Sequence, residues 1–206
     1  DCFSIITILL LVFLSKVFVM EEKYTNIAVL FHWLTAVLVI GLLALGWYMT
    51  DLEGSEKGYF YRLHKSFGLT VYFIVLLRLA WRLKNPPPSL PNDFNSFHVK
   101  MSRFVHRMAY LSLLVMPLMG YLSSSFSGYK TSWFGLNLYH WGWKHEALNS
   151  FFSQAHQIFG YVLFIIITIH LSAVIFHLIT KKINLLPRIW FHKKTNVNEK
   201  RNDYEK

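Results

Sequence analysis

The sequence is poor in cysteine and in charged residues. Cys2 is the only cysteine among 206 residues, and Asp, Glu, Lys and Arg together supply 16% of the chain. A single thiol excludes an intramolecular disulfide framework, a thiolate-held cluster and the C-x-x-C-H motif of covalent cofactor attachment. So little charge beside 54% hydrophobic residues is atypical of a soluble domain and favours a membrane protein.

Four long apolar stretches accompany this shortage of charge. A helix that crosses a bilayer needs ~20 mostly apolar residues. The stretches that meet this length are residues 28–49, 61–83, 105–126 and 155–180. The sequence therefore predicts an all-α, integral membrane four-helix bundle that occupies residues 20–190.

The two ends of the chain differ from this predicted domain. Residues 1–19 are an apolar leader without the basic region and small-residue cleavage site of a signal peptide. Because Met20 opens a polar segment before the first clear span, we expect Met20 to be the authentic start and the leader not to be native. A short fifth membrane helix is the alternative for the leader. Residues 191–206 are predicted to be a polar cytoplasmic tail.

The formal net charge of +10 is unevenly distributed along the chain. Lysines and arginines precede the first span, flank the loop between the second and third, and follow the fourth, whereas the first loop carries Asp51, Glu53 and Glu56. The positive-inside rule then places both termini and the middle loop in the cytoplasm. The excess of bases thus indicates membrane orientation, and we expect no nucleic-acid partner.

Histidines are numerous, although polar imidazole side chains are unfavourable on a surface that faces lipid. His64 and His156 fall near the outer ends of the second and fourth spans, and His32 falls near the cytoplasmic end of the first. His170 follows His156 by 14 residues, which is ~21 Å of helix rise and nearly four turns, so it lies on the same face at cytoplasmic depth. The pattern predicts an outer layer of His64 with His156 and an inner layer of His32 with His170.

Two imidazoles from different helices can fill both axial positions of a haem iron. Each layer is therefore predicted to hold one noncovalent b-type haem, with the four histidines as its metal ligands. Filled axial positions leave no vacant site for dioxygen and favour reversible one-electron transfer. A single histidine near a helix end is also explained by interfacial hydrogen bonding, and it is the paired spacing that favours ligation.

Three further residues near these histidines are predicted to bind the cofactor. Arg78 follows His64 by 14 residues and is expected at inner depth, where a haem propionate would supply its counter-charge; snorkelling to lipid phosphate is the alternative. Gly68 and Gly160 end two H-x-x-F-G strings that begin at His64 and His156. A glycine one turn from an imidazole would clear room for a flat macrocycle.

Other histidines and the outer loop have several readings. His106, at inner depth, competes with His32 as a ligand and is predicted to contact a propionate or to donate a proton to a quinone. His177 competes with His170 or lies at the interface, while His98 is expected to be solvated. The aromatic segment 128–153 is predicted to lie along the outer interface as a loop or short amphipathic helix.

Several motifs within residues 20–190 resemble the bacterial cytochrome b561 family, which is related to the cytochrome b subunits of nickel-iron hydrogenases and formate dehydrogenases. They include Lys23-Tyr24, His32-Trp33, residues 74–84 with Arg78 and Arg82, His106 with Pro117 and Gly120, residues 133–136, and the pair His156 and His170. The resemblance implies two haems b (protohaem IX) on the four histidines, ubiquinone as substrate and a multi-pass location in the bacterial inner membrane. Residues 138–141 depart from it, because a proline-containing stretch is expected there.

The predicted function is that of a quinone-linked oxidoreductase, which passes electrons between a small donor and ubiquinone. Superoxide is a chemically reasonable donor, and outer bases could steer it: Lys57, Arg62, Lys65, Lys130 and Lys144. The alternative is a membrane-anchor subunit that links a larger dehydrogenase or hydrogenase, as its redox-protein partner, to quinone. A histidine-lined channel is disfavoured, because no acid occurs within residues 27–49 or 105–126.

Overall fold

The computed structural model describes residues 23–90, 94–139, 142–180 and 184–192, with four long helices among them. The helices are α1 Asn26–Thr50, α2 Gly54–Lys84, α3 Ser96–Phe126 and α4 Glu146–Thr180. Each is long and apolar enough to cross a membrane, so the predicted all-α architecture with four spans is confirmed. The predicted leader, and all of the predicted tail except residues 191 and 192, lie outside the described residues.

Three of the helices begin well before the predicted apolar spans. The α2 helix starts at Gly54, α3 at Ser96 and α4 at Glu146, because polar residues continue each helix beyond its apolar part. Side-chain caps support two helix starts: the Thr25 hydroxyl accepts from the Ala28 amide in α1, and the Asn95 side chain accepts from the His98 amide in α3. Hydropathy detects only the part of a helix that is apolar.

Neighbouring helices pack in chain order, α1 on α2, α2 on α3 and α3 on α4. A small core lies between them, formed by Val39, Leu42, Val71, Val75, Leu113 and Leu163. The first and last helices meet through rings, since Trp47 and Phe164 have centroids 5.1 Å apart. Most other large apolar side chains point outward, as expected where lipid tails rather than water surround the bundle.

The outer connection between α3 and α4 contains a two-stranded antiparallel hairpin, β1 Ser132–Trp133 with β2 Leu136–Asn137. Its turn uses left-handed backbone at Phe134 (φ 46°) and Gly135 (φ 94°). Within the described part of segment 128–153, the hairpin is followed by the first turns of α4. The predicted loop therefore accounts for residues 128–139, and the helical part of the segment is continuous with α4; residues 140 and 141 lie outside the described part.

Hydroxyl groups of α2 hold this hairpin on the outer end of the bundle. The Trp133 indole donates to the Thr70 hydroxyl at 3.0 Å, and the Phe134 amide donates to the Ser66 hydroxyl at 3.1 Å. Ser66 is buried, so its hydrogen bonds are shielded from water. The hairpin thus covers the helix that carries His64.

At the opposite end, the segment after α4 returns to the start of α1. It contains a 3-10 helix, Leu186–Ile189, whose Ile189 carbonyl accepts from the Trp33 indole at 2.9 Å. The side chain of Asn26 exchanges two hydrogen bonds with the His192 backbone. The buried Arg188 guanidinium donates to the Ser89 carbonyl in the loop between α2 and α3. Three distant parts of the chain are thereby joined at this end.

Candidate functional site

Two of the four predicted ligands face each other at the outer end of the bundle. The His64 ring of α2 and the His156 ring of α4 have centroids 6.0 Å apart, with their planes at 78°. The His156 Nδ1–H donates to the Met116 carbonyl of α3 at 2.7 Å, which leaves Nε2 with its lone pair. The Nδ1 atom of His64 is buried and has no hydrogen-bond partner within the described residues.

All four helices contribute a side chain to the inner layer. His32 of α1 and His170 of α4 have ring centroids 6.4 Å apart, with their planes at 61°. His106 of α3 lies 5.4 Å from His170 and donates its Nδ1–H to the Ser102 carbonyl at 2.7 Å. Arg78 of α2 donates to His32 Nδ1 at 3.0 Å.

The spacing within each predicted pair can be compared with that of two axial ligands. A bond from imidazole nitrogen to a metal is about 2 Å long, so two rings on opposite sides of one ion have centres about 6 Å apart. The separations of 6.0 Å for His64 with His156 and 6.4 Å for His32 with His170 fit this requirement. The 5.4 Å between His106 and His170 is shorter and fits it less well. The residues present therefore suit one bis-histidine haem in each layer.

A known protein family matches the part of the chain that contains both histidine layers. The model of the prokaryotic cytochrome b561 family matches residues 23–192, which include all four helices and both histidine layers. The chain belongs to the prokaryotic cytochrome b561 family. It is accordingly a multi-pass membrane cytochrome of the type that binds haem b, and its general role is electron transfer as an oxidoreductase.

Three curated relatives belong to this comparison. The chain is 34% identical to cytochrome b561 homolog 2 of Escherichia coli (strain K12) over 117 residues, which cover 55% of the chain and 62% of that relative. It is 23% identical to cytochrome b561 homolog 1 of the same organism over 82% of the chain and 97% of the relative. It is 24% identical to the probable superoxide oxidase CybB of Yersinia pestis, with the same coverage of both chains.

In this b561 chain, Arg78 lies in the inner layer, as its spacing from His64 predicts. Its guanidinium carbon lies 5.4 Å from the Tyr110 ring centre, and Arg82 lies 5.5 Å from the same ring. Arginine only donates, so His32 accepts through Nδ1 and carries its proton on Nε2 in this arrangement. A ring that ligates through Nε2 carries the proton on Nδ1. Ligation by His32 therefore requires Arg78 to release this nitrogen, and a propionate is a suitable new partner.

Two glycines other than the predicted ones contact the rings of the predicted ligands. A Cβ at Gly68 would meet no atom within 4 Å, and one at Gly160 would meet only Met116 Cε at 3.8 Å. Both positions leave space, but their roles beside a macrocycle stay predictions. A Cβ at Gly120 would instead lie 2.8 Å from His156 Nδ1, and one at Gly46 would lie 3.4 Å from His64 Cε1. Gly120 was noted only as part of the family motif and Gly46 was not predicted, because the spacing of a histidine and a glycine was compared only within one helix.

The remaining helix-borne histidines form a separate cluster at the inner end of α3. The His177 ring lies 5.1 Å from the His98 ring and 4.7 Å from the Phe94 ring. His98 is half-buried in the first turn of α3, so its side chain keeps only part of the expected exposure to solvent. Because His177 packs in this cluster, it is not a competitor of His170 for the inner layer.

The outer bases differ in their surroundings. Arg62, Lys130 and Lys144 are exposed, whereas Lys65 is half-buried beside His64. The Lys65 ammonium donates to the Ser124 hydroxyl at 2.7 Å, and that hydroxyl lies 2.5 Å from the Thr131 hydroxyl. The Lys65 charge is thus held in place near the outer layer. Lys57 is also half-buried and donates to the Thr50 carbonyl at 3.4 Å, while the other three bases are exposed.

Proposed function

We propose that this b561 cytochrome conducts electrons through two haems b, one held by His64 and His156 and the other by His32 and His170. Each haem supplies a reversible one-electron couple when bound. The observation that carries the proposal is the occurrence of two facing imidazole pairs, 6.0 and 6.4 Å apart, at two depths of one four-helix bundle. The distribution of bases supports a cytoplasmic inner layer, cytoplasmic termini and residence in the bacterial inner membrane.

A small anionic reductant suits the outer side. The half-buried Lys65 and the exposed bases around it attract negative charge toward the His64 layer. A relative with 24% identity is named a probable superoxide oxidase, and superoxide is a one-electron reductant of this charge. Two superoxide ions would each lose one electron and leave dioxygen, while two electrons and two protons would convert ubiquinone to ubiquinol.

The inner layer suits the quinone side of this reaction. His106 is oriented by its bond to the Ser102 carbonyl and faces His170. In the proposal it contacts a propionate or passes a proton to quinone. Arg78 turns from His32 to a haem propionate, where a charge-assisted hydrogen bond replaces the one to imidazole.

Spectra and turnover of the purified chain test these statements separately. We expect a b-type reduced spectrum with two haems per chain, and superoxide-driven ubiquinone reduction that superoxide dismutase abolishes. A colourless protein, despite adequate haem during expression, would refute the haem assignment. Two bound haems without superoxide-driven reduction would leave the cytochrome in place but remove superoxide as donor, and co-purification of a flavin or iron-sulfur subunit would then favour the membrane-anchor function.

A further inference from the structure

We infer that Gly46 and Gly120 are positioning residues for the two outer imidazoles. The ring of each outer histidine rests against a glycine of the helix that pairs with its own, His64 of α2 against Gly46 of α1 and His156 of α4 against Gly120 of α3. The inference rests on the proposed role of these histidines as haem ligands. The role of the two glycines is to set the positions of the imidazole rings, and it requires no contact between the glycines and the macrocycle.

The contact at Gly120 is the closer of the two. A Cβ there would lie 2.8 Å from Nδ1, 3.0 Å from Cε1 and 3.6 Å from Cγ of His156. The first distance is shorter than packed carbon and nitrogen atoms tolerate, so any side chain at residue 120 must displace the ring or the helix. Only a glycine lets the imidazole approach the α3 backbone this closely.

This approach also permits the hydrogen bond that orients the ring. His156 Nδ1 donates to the carbonyl of Met116, one turn before Gly120 on the same helix, at 2.7 Å. The bond fixes the tautomer that leaves Nε2 free to ligate and sets the rotation of the ring. A displaced ring would lose both effects together.

The contact at Gly46 is looser and unsupported by a hydrogen bond. A Cβ there would lie 3.4 Å from His64 Cε1 and 3.9 Å from Nδ1, and that Nδ1 has no hydrogen-bond partner within the described residues. Packing against residue 46 therefore guides the His64 ring, and a methyl group there would touch the ring at the limit of ordinary van der Waals contact. We therefore expect a substitution at Gly120 to disturb its histidine ring more than a substitution at Gly46 does.

The histidine rings of the inner layer do not pack against glycines. None of the chain's ten glycines would place a Cβ within 4 Å of His32, His106 or His170. The rings of His32 and His106 are instead held by Arg78 and the Ser102 carbonyl. Substitution of Gly46 or Gly120 should therefore change the outer haem alone. A general loss of helix packing would instead change both haems.

The test compares Gly120→Ala and Gly46→Ala with Gly41→Ala, an exposed α1 position where a Cβ meets no atom within 4 Å. Haem content, low-spin electron paramagnetic resonance and the midpoint potential of each haem are measured in purified protein. G120A should lose about half of the haem, all of it from the outer layer. G46A should keep both haems with a shifted resonance or potential for the outer one, and G41A should match the parent.

An unchanged outer haem in G120A would overturn the inference, as would equal disturbance of both haems. If G120A does not accumulate in membranes, G46A decides, and an unaltered outer haem in that variant overturns it. His156→Ala separates this result from the proposed function. If H156A loses a haem and G120A does not, the ligand assignment stands and the seating role fails; if H156A loses none, the ligand assignment itself fails.

Discussion

The outer and inner layers place histidines in similar pairs but hold them by different means. In the outer layer the rings rest on glycines and His156 bonds a backbone carbonyl, so the supports are parts of the helices themselves. In the inner layer the backbone supports only His106, through the Ser102 carbonyl, whereas the predicted ligand His32 is bonded by Arg78, a long charged side chain. Helix backbone is rigid, whereas an arginine has several rotamers and can exchange partners. The outer layer is therefore built for fixed geometry and the inner layer for electrostatic adjustment.

The largest effect should come from removing one ligand of each layer. His156→Ala should abolish the outer haem and His170→Ala the inner haem, because each leaves one axial position without imidazole. Through-flow of electrons to quinone should fall to background in both. Haem per chain and potentiometric titration distinguish the two, with the exposed His145→Ala as a control that retains both haems. Retention of both haems in either test variant would contradict the assignment of one haem to each layer.

Removing the inner charge should have the next largest effect. Arg78→Gln deletes a half-buried positive charge in contact with His32. A charge some 8 Å away contributes about 2 kcal/mol at an effective dielectric constant of about 20. The inner haem should therefore titrate tens of millivolts lower, with the outer haem little changed. The exposed Lys84→Gln, at the end of α2, removes an equal charge and should shift neither potential; an R78Q protein with the parental inner potential would contradict an electrostatic inner layer.

A smaller effect is expected at the outer charge. Lys65→Gln removes the ammonium that Ser124 holds near His64, so reduction of the cytochrome by superoxide at low ionic strength should slow severalfold. Stopped-flow spectroscopy over a series of salt concentrations measures this rate. Lys130→Gln removes an exposed charge and should slow it less. Equal rates for both variants would mean that the outer charges act only as a diffuse surface field.

The smallest effect should follow loss of one hairpin anchor. Ser66→Ala deletes the buried hydroxyl that accepts from the Phe134 amide and should cost about 1–2 kcal/mol of stability. The thermal midpoint in detergent should fall, and the spectrum of the outer haem should be lost before that of the inner haem. Ser55→Ala, at an exposed site in the first turn of α2, is the matched control. Simultaneous loss of both haems would show that the hairpin stabilises the whole bundle rather than its outer end.

The sequence predicted the pairs of histidines more fully than their supports. The 14-residue interval from His156 to His170 determines a shared face and two depths through helix geometry alone. Gly46 and Gly120 contact rings on other helices. Such contacts depend on the rotation and packing of the helices against each other, and these cannot be deduced from a single sequence.

The partner of Arg78 was missed for a related reason. Its depth followed from spacing, but its hydrogen bond to His32 depends on the rotamer it adopts between α1 and α3. The cluster of His98 and His177 joins the first turn of α3, which lies before the predicted apolar span, to the end of α4, and no spacing in the sequence relates these two helix ends.

The hydrogen bonds between residues 188–192 and the start of α1 join parts of the chain that a ribosome makes far apart in time. Trp33 and Asn26 emerge early, yet their partners Ile189 and His192 are synthesised only after the fourth helix. The inner end of the bundle therefore remains incomplete until the residues that follow the fourth helix have been made.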